Sequence, residues 1–113
     1  MKSWTNYPEA ISAKKAYNKA KKRKEEQKEI YIFTKKKHEF CEEVLRCEKE
    51  IKKANEESPN PQLAPEECEK AVDIATNKRD KAKSQREKEQ EKYKEIKAIC
   101  HEKWQEYQKA RKN

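Results

Sequence analysis

Four cysteines, two histidines and a large stock of carboxylates are the side chains of this chain with chemistry to offer. Cys41, Cys47, Cys68 and Cys100 include no CxxC pair and none of the spacings that mark zinc ligation. His38 and His101 stand many turns apart if the chain folds back on itself, so they cannot share a metal. Cys100 and His101 are adjacent, which on a helix turns their side chains about 100° apart and away from a thiol–imidazole pair. A chain without glycine cannot build a glycine-rich phosphate cradle. The glutamates sit within a turn of lysines, as Glu25 and Glu29 do with Lys24 and Lys28, which is the pattern of a solvated helix face. The expectation is no enzyme, no cofactor, no metal site and no small-molecule substrate.

What would position such residues is a pair of long helices. At 113 residues, 46% of them charged and 32% hydrophobic, the chain suits one small domain with little core. Lys, Glu, Ala, Gln and Arg dominate, the side chains that lose least on entering a helix. Residues 1–8, MKSWTNYP, have no period and predict an extended lead-in. Pro8 and Glu9 then suit the start of a helix. No proline or glycine follows until the bend, so the first helix is predicted over 9–57, about 73 Å at 1.5 Å per residue. Pro59 and Pro61 mark a proline-rich bend over 58–64. Pro65 with Glu66 and Glu67 opens a second helix over 65–111. The predicted fold class is all-α: two long antiparallel helices forming a coiled-coil-like hairpin, alone or as part of a three- or four-helix bundle.

Apolar spacing sets the expected seam. Ala13, Tyr17, Ala20, Lys24 and Gln27 follow one phase, and Ile30, Phe33, Lys37, Phe40, Val44, Cys47, Ile51 and Ala54 follow another. The change of phase between Gln27 and Ile30 predicts a stutter. On the second helix, Cys68, Ala71, Ala75, Lys78, Ala82, Gln85 and Glu89 lead, with a slip, into Tyr93, Ile96, Cys100, Lys103, Tyr107 and Ala110. Folding about Pro59 to Leu63 then sets Ala54 against Cys68, Ile51 against Ala71, Cys47 against Ala75 and Phe40 against Ala82. Large residues would meet small ones, while Lys37 would lie near Gln85 and Phe33 near Glu89.

Two helices bury only a strip each. Ile30, Tyr31, Phe33 and Phe40 on the first helix, and Tyr93, Ile96, Trp104 and Tyr107 on the second, make apolar patches wider than a strip. They are the candidate protein-interaction residues, through a second copy or a larger assembly. The alternative is a break near Thr34 that folds the N-terminal piece back into a three-helix monomer. The cysteines pack as small apolar groups with free thiols in one reading. In the other, a bend nearer residue 58 brings Cys47 opposite Cys68 as a disulfide in an oxidising compartment.

Charge is unevenly placed, within a net of +8. Lys14, Lys15, Lys19, Lys21, Lys22, Arg23 and Lys24 form a run without an acid, whereas residues 48–73 hold eight acidic groups against four basic ones. In a hairpin the basic run lies beside Lys103, Lys109, Arg111 and Lys112. Such a cluster attracts an acidic membrane surface or a nucleic-acid backbone, and serves equally well to keep a helix solvated. No apolar run is long enough to span a bilayer. The N-terminus lacks the hydrophobic segment of a secretory signal. With free thiols, the expected location is the cytosol or an organelle interior, with secretion the alternative.

The segments KKKHEFCEE at 35–43, NPQLAPEECEK at 60–70 and EKYKEIKAIC at 91–100 together resemble the central hairpin of F-BAR membrane-remodelling domains. The resemblance spans about residues 14–107. It implies antiparallel dimers that bind acidic membranes through a basic face, to which Lys14, Lys15, Lys21, Lys22, Arg23, Lys35, Lys36 and Lys37 are the nearest counterparts. The chain lacks that family's flanking helices. The function expected from the residues themselves is a non-enzymatic structural or adaptor protein that binds other proteins by helical packing. Electrostatic binding of an anionic membrane or nucleic acid is the second reading.

Overall fold

The computed structural model describes residues 7–112. It contains two helices, α1 (Tyr7–Glu57, 51 residues) and α2 (Pro65–Lys112, 48 residues), packed antiparallel as a coiled-coil-like hairpin. Tyr7 and Pro8, assigned above to the lead-in, already belong to α1; residues 1–6 lie outside the described residues. α1 runs without interruption through Thr34, so the folded-back three-helix alternative does not hold. Glu66 and Glu67 occupy the first turn of α2, and Lys109, Arg111 and Lys112 the last, each complementing the helix dipole.

The bend between Glu57 and Pro65 is built without a glycine. Many helices end on a left-handed residue, usually glycine. Here the side chain of Asn55, still inside α1, ties down the bend instead. Its Nδ2 donates to the Leu63 carbonyl at 2.9 Å, and its Oδ1 accepts from the Leu63 amide at 3.2 Å. The Asn60 amide donates to Ser58 Oγ at 3.3 Å. Ala64 then opens α2, its carbonyl accepting from Glu67 and Cys68 at 3.0 and 3.3 Å.

The hairpin divides into two compact units. In one, α1 up to Tyr31 pairs with α2 from Glu89 onward; the other is Ile32–Lys88, the helix pair on either side of the bend.

The seam differs from the one predicted. Besides half-buried Ala16 and Val44, the buried and half-buried positions on α1 are Ala10, Ala13, Tyr17, Ala20, Lys24, Gln27, Tyr31, Thr34, His38, Cys41, Leu45, Glu48, Lys52 and Asn55. Their spacing alternates four and three from first to last, so there is no stutter at Gln27. α2 answers with Cys68, Val72, Ala75, Arg79, Ala82, Arg86, Glu89, Tyr93, Ile96, Cys100, Lys103, Tyr107 and Ala110. Val72, Arg79 and Arg86 replace Ala71, Lys78 and Gln85, which removes the slip. An unbroken heptad keeps both seams aligned with no local unwinding. Of the predicted α1 track, Val44 is half-buried, while Ile30, Phe33, Lys37, Phe40, Cys47, Ile51 and Ala54 are exposed instead. Each of these residues, Val44 included, lies one position before a seam residue, hence about 100° around the helix from it. The facing pairs predicted for Ile51, Cys47, Phe40 and Phe33 therefore do not form. Ala75 and Ala82 are buried as expected.

Candidate interaction surfaces

The seam holds polar groups, and those buried in it are partnered. In the first unit, Gln27 Nε2 donates to the Glu89 carbonyl at 3.2 Å and to its carboxylate at 2.6 Å. Glu89 is 6% exposed, and Lys92 Nζ adds an ion pair at 3.3 Å. The hydrogen bond from Gln27 holds the Glu89 carboxyl below its ordinary range; burial opposes this, and Lys92 assists.

In the second unit, Arg86 Nη1 lies 3.1 Å from His38 Nδ1. A guanidinium can only donate, so Nδ1 accepts and the imidazole carries its proton on Nε2. That nitrogen donates to Glu42 Oε1 at 3.1 Å, and Arg79 Nη1 reaches the same oxygen at 3.5 Å. Arg46 pairs with Glu43 and with Glu50 on the α1 surface, which lowers the Glu43 carboxyl below its usual range. Among the described residues no buried side-chain nitrogen or oxygen lacks a partner.

Half of the predicted protein-interaction residues serve inside the hairpin. Tyr31 stacks on Tyr93 with ring centroids 6.0 Å apart, and Ile96 is buried. Tyr107 stacks on Tyr17 at 6.4 Å and carries Arg111 over its ring at 5.7 Å. Trp104 packs on Tyr17 at 5.0 Å and on Tyr107 at 6.0 Å, yet stays 39% exposed. Ile30 in the first unit is open to solvent. In the second unit Phe33 and Phe40 are each 68% exposed, and Ile51, Cys47 and Ile74 are exposed as well. Phe33, Phe40 and Cys47 recur at seven-residue spacing and so share one face of α1, beside the seam.

The basic run is solvent-facing except for Lys24, which sits half-buried in the seam. At 100° per residue the other six cations wrap three sides of α1. Lys19 and Arg23 line one wall of a groove of about 220 Å³ in the first unit, with Lys103 on the other wall and Ala16, Ala20, Ile96 and Ile99 as its apolar lining. Cys47 is exposed and Cys68 buried; all four cysteines are free thiols. His38 is buried in the second unit and His101 exposed in the first. Among the described residues no cluster of three or more His, Cys, Asp or Glu is placed to hold a metal, and no helix is long and apolar enough to cross a membrane.

Apolar spacing placed Gln27 and Glu89 on the seam and missed His38 and Arg86. The signal for His38 was the continuation of the Ala13–Gln27 heptad into Tyr31, Thr34, His38 and Cys41. The chain matches no protein-family model, no curated protein and no solved structure.

Proposed function

We propose that the protein is a non-enzymatic structural or adaptor component that packs against helices of other proteins, or of a second copy, through the outward stripe of α1 in the bend unit. The observation that carries this reading is the exposure of Phe33 and Phe40, 68% each, at heptad spacing. Fully burying a phenylalanine is worth about 1.5–3 kcal/mol, so a helix laid over both rings gains several kcal/mol. That gain is greater than the hairpin seam obtains from its buried alanines. The reading needs no cofactor, and free thiols fit a reducing compartment.

The solution mass of the purified chain, taken with its helix content, tests this reading. At about 500 mM salt, the expected result is association of the wild type and a helical monomer for Phe33→Ser/Phe40→Ser. A wild type that is monomeric at roughly 100 µM, with stability equal to the variant's, would remove the reading.

A second reading is electrostatic binding of an anionic membrane or nucleic acid, as the F-BAR resemblance implies. It is favoured by the exposure of Lys14, Lys15, Lys19, Lys21, Lys22 and Arg23. Co-sedimentation with acidic vesicles and gel shifts, each repeated with Lys14, Lys15, Lys21, Lys22 and Arg23 reversed to Glu, test it. Binding that survives the reversal would exclude these residues.

A further inference from the structure

Two features outside the α1 stripe complement one another. The first is the groove of the unit that contains Tyr17 and Trp104. Every charged residue lining it is a cation: Lys19, Arg23 and Lys103. Lys103 is shared with Glu106 at 3.3 Å, whereas Lys19 and Arg23 have no acidic partner among the described residues. The apolar lining, Ala16, Ala20, Ile96 and Ile99, leaves about 220 Å³. That is below the range of small-molecule pockets, roughly 300–1,000 Å³, and suits one protruding side chain. The second feature is the bend. Leu63 is 43% exposed there although both its backbone groups are tied to Asn55. An apolar side chain is thus held outward on a fixed backbone, which lowers the entropy lost on docking. From Asn55 to Glu67 the chain carries Glu56, Glu57, Glu66 and Glu67 and no cation. All four are exposed, and none is ion-paired among the described residues.

We propose that the bend of one copy docks into this groove of a second copy, with Leu63 on the apolar lining and the surrounding carboxylates facing Lys19, Arg23 and Lys103. Donor and acceptor are different surfaces, so each docking event leaves one bend and one groove unused. The contact is heterologous, and growth is open-ended unless the rotation closes a ring. Charge complementarity makes it salt-sensitive. The inference goes beyond helical packing through Phe33 and Phe40, and it stands or falls independently of that reading.

Sedimentation velocity on the full chain tests it, in wild type and in the Phe33→Ser/Phe40→Ser background, at about 20 mM and about 500 mM salt. The expected result is a ladder of sizes at low salt that collapses at high salt, in both backgrounds. Leu63→Asp and Lys19→Glu/Arg23→Glu each abolish the ladder with helix content unchanged. Mixed together, these two variants form pairs and nothing larger, because one supplies an intact groove and the other an intact bend. Three results would overturn the proposal: no ladder at low salt in the Phe33→Ser/Phe40→Ser background, a ladder that survives Leu63→Asp, or mixed variants that stay monomeric. Capture of anionic vesicles by Lys19 and Arg23 in place of self-assembly would also overturn it and assign the groove to a lipid surface.

Discussion

Gln27 and Glu89, sixty-two positions apart in sequence, are joined twice: the amide of Gln27 donates to both the carboxylate and the backbone carbonyl of Glu89. The pair fixes the register of the first unit from inside the seam. A polar pair of this kind is costly to break and inexpensive to replace, since deleting Gln27 leaves the buried Glu89 short of two hydrogen bonds that Lys92 does not supply. Gln27→Ala is therefore expected to lower unfolding stability by about 1–3 kcal/mol, whereas Gln27→Leu/Glu89→Leu is near neutral or stabilising. Urea unfolding of the two variants checks this. Equal losses in both would contradict the assignment.

The same carboxylate makes stability depend on pH in one direction. Its folded-state value lies below the ordinary one, so its contribution is complete above about pH 4.3 and is lost as pH falls through the lowered folded value. The stability gap between wild type and Glu89→Gln should accordingly be widest near neutrality and narrow under acid. Denaturant midpoints from neutral to strongly acidic pH measure it, and a gap that stays constant throughout would refute the linkage.

Asn55 clamps the bend through Leu63. Asn55→Ala removes both hydrogen bonds and is expected to cost about 1–2 kcal/mol. It should also speed hydrogen exchange at the Leu63 amide, while exchange at Gln27 and its neighbours stays as it was. Uniform acceleration along both helices would mean that Asn55 acts globally instead.

The bonds to Arg86 and Glu42 fix the tautomer of His38. Long-range proton–nitrogen spectra of the neutral imidazole should show the proton on Nε2, and, because Glu42 also accepts from that nitrogen, the other tautomer should appear only when Arg86→Ala is combined with Glu42→Ala. A proton found on Nδ1 in the wild type would reverse the assignment of donor and acceptor.

The sequence made the two helices and the bend legible for local reasons. Proline placement, the lack of glycine and the choice of helix-forming residues act within a few residues of where they occur. The seam was harder to find because two tracks one residue apart compete for it. Counting apolar residues selects Ile30, Phe33, Phe40 and Ile51. The structure selects Tyr31, Thr34, His38 and Cys41, which continue the phase set by Ala13 and Tyr17. Polar seam residues are tolerable only when each finds a partner on α2, and one helix alone does not reveal its partner. The groove beside Lys19 and the outward hold on Leu63 were hidden for the same reason, since each depends on which residues the fold brings together.

The one-position offset between the exposed stripe and the seam makes α1 sensitive to frame. One extra residue upstream of Phe33, near Glu29, would carry Phe33 into the slot of Thr34 and Phe40 into that of Cys41, turning the outward surface inward without altering any downstream side chain. Substitutions can therefore be absorbed along much of this helix, but a single-codon insertion exchanges its two faces, and a deletion would carry Lys35 and Glu42 into the seam. Length, more than composition, is the property of α1 that selection would have to guard.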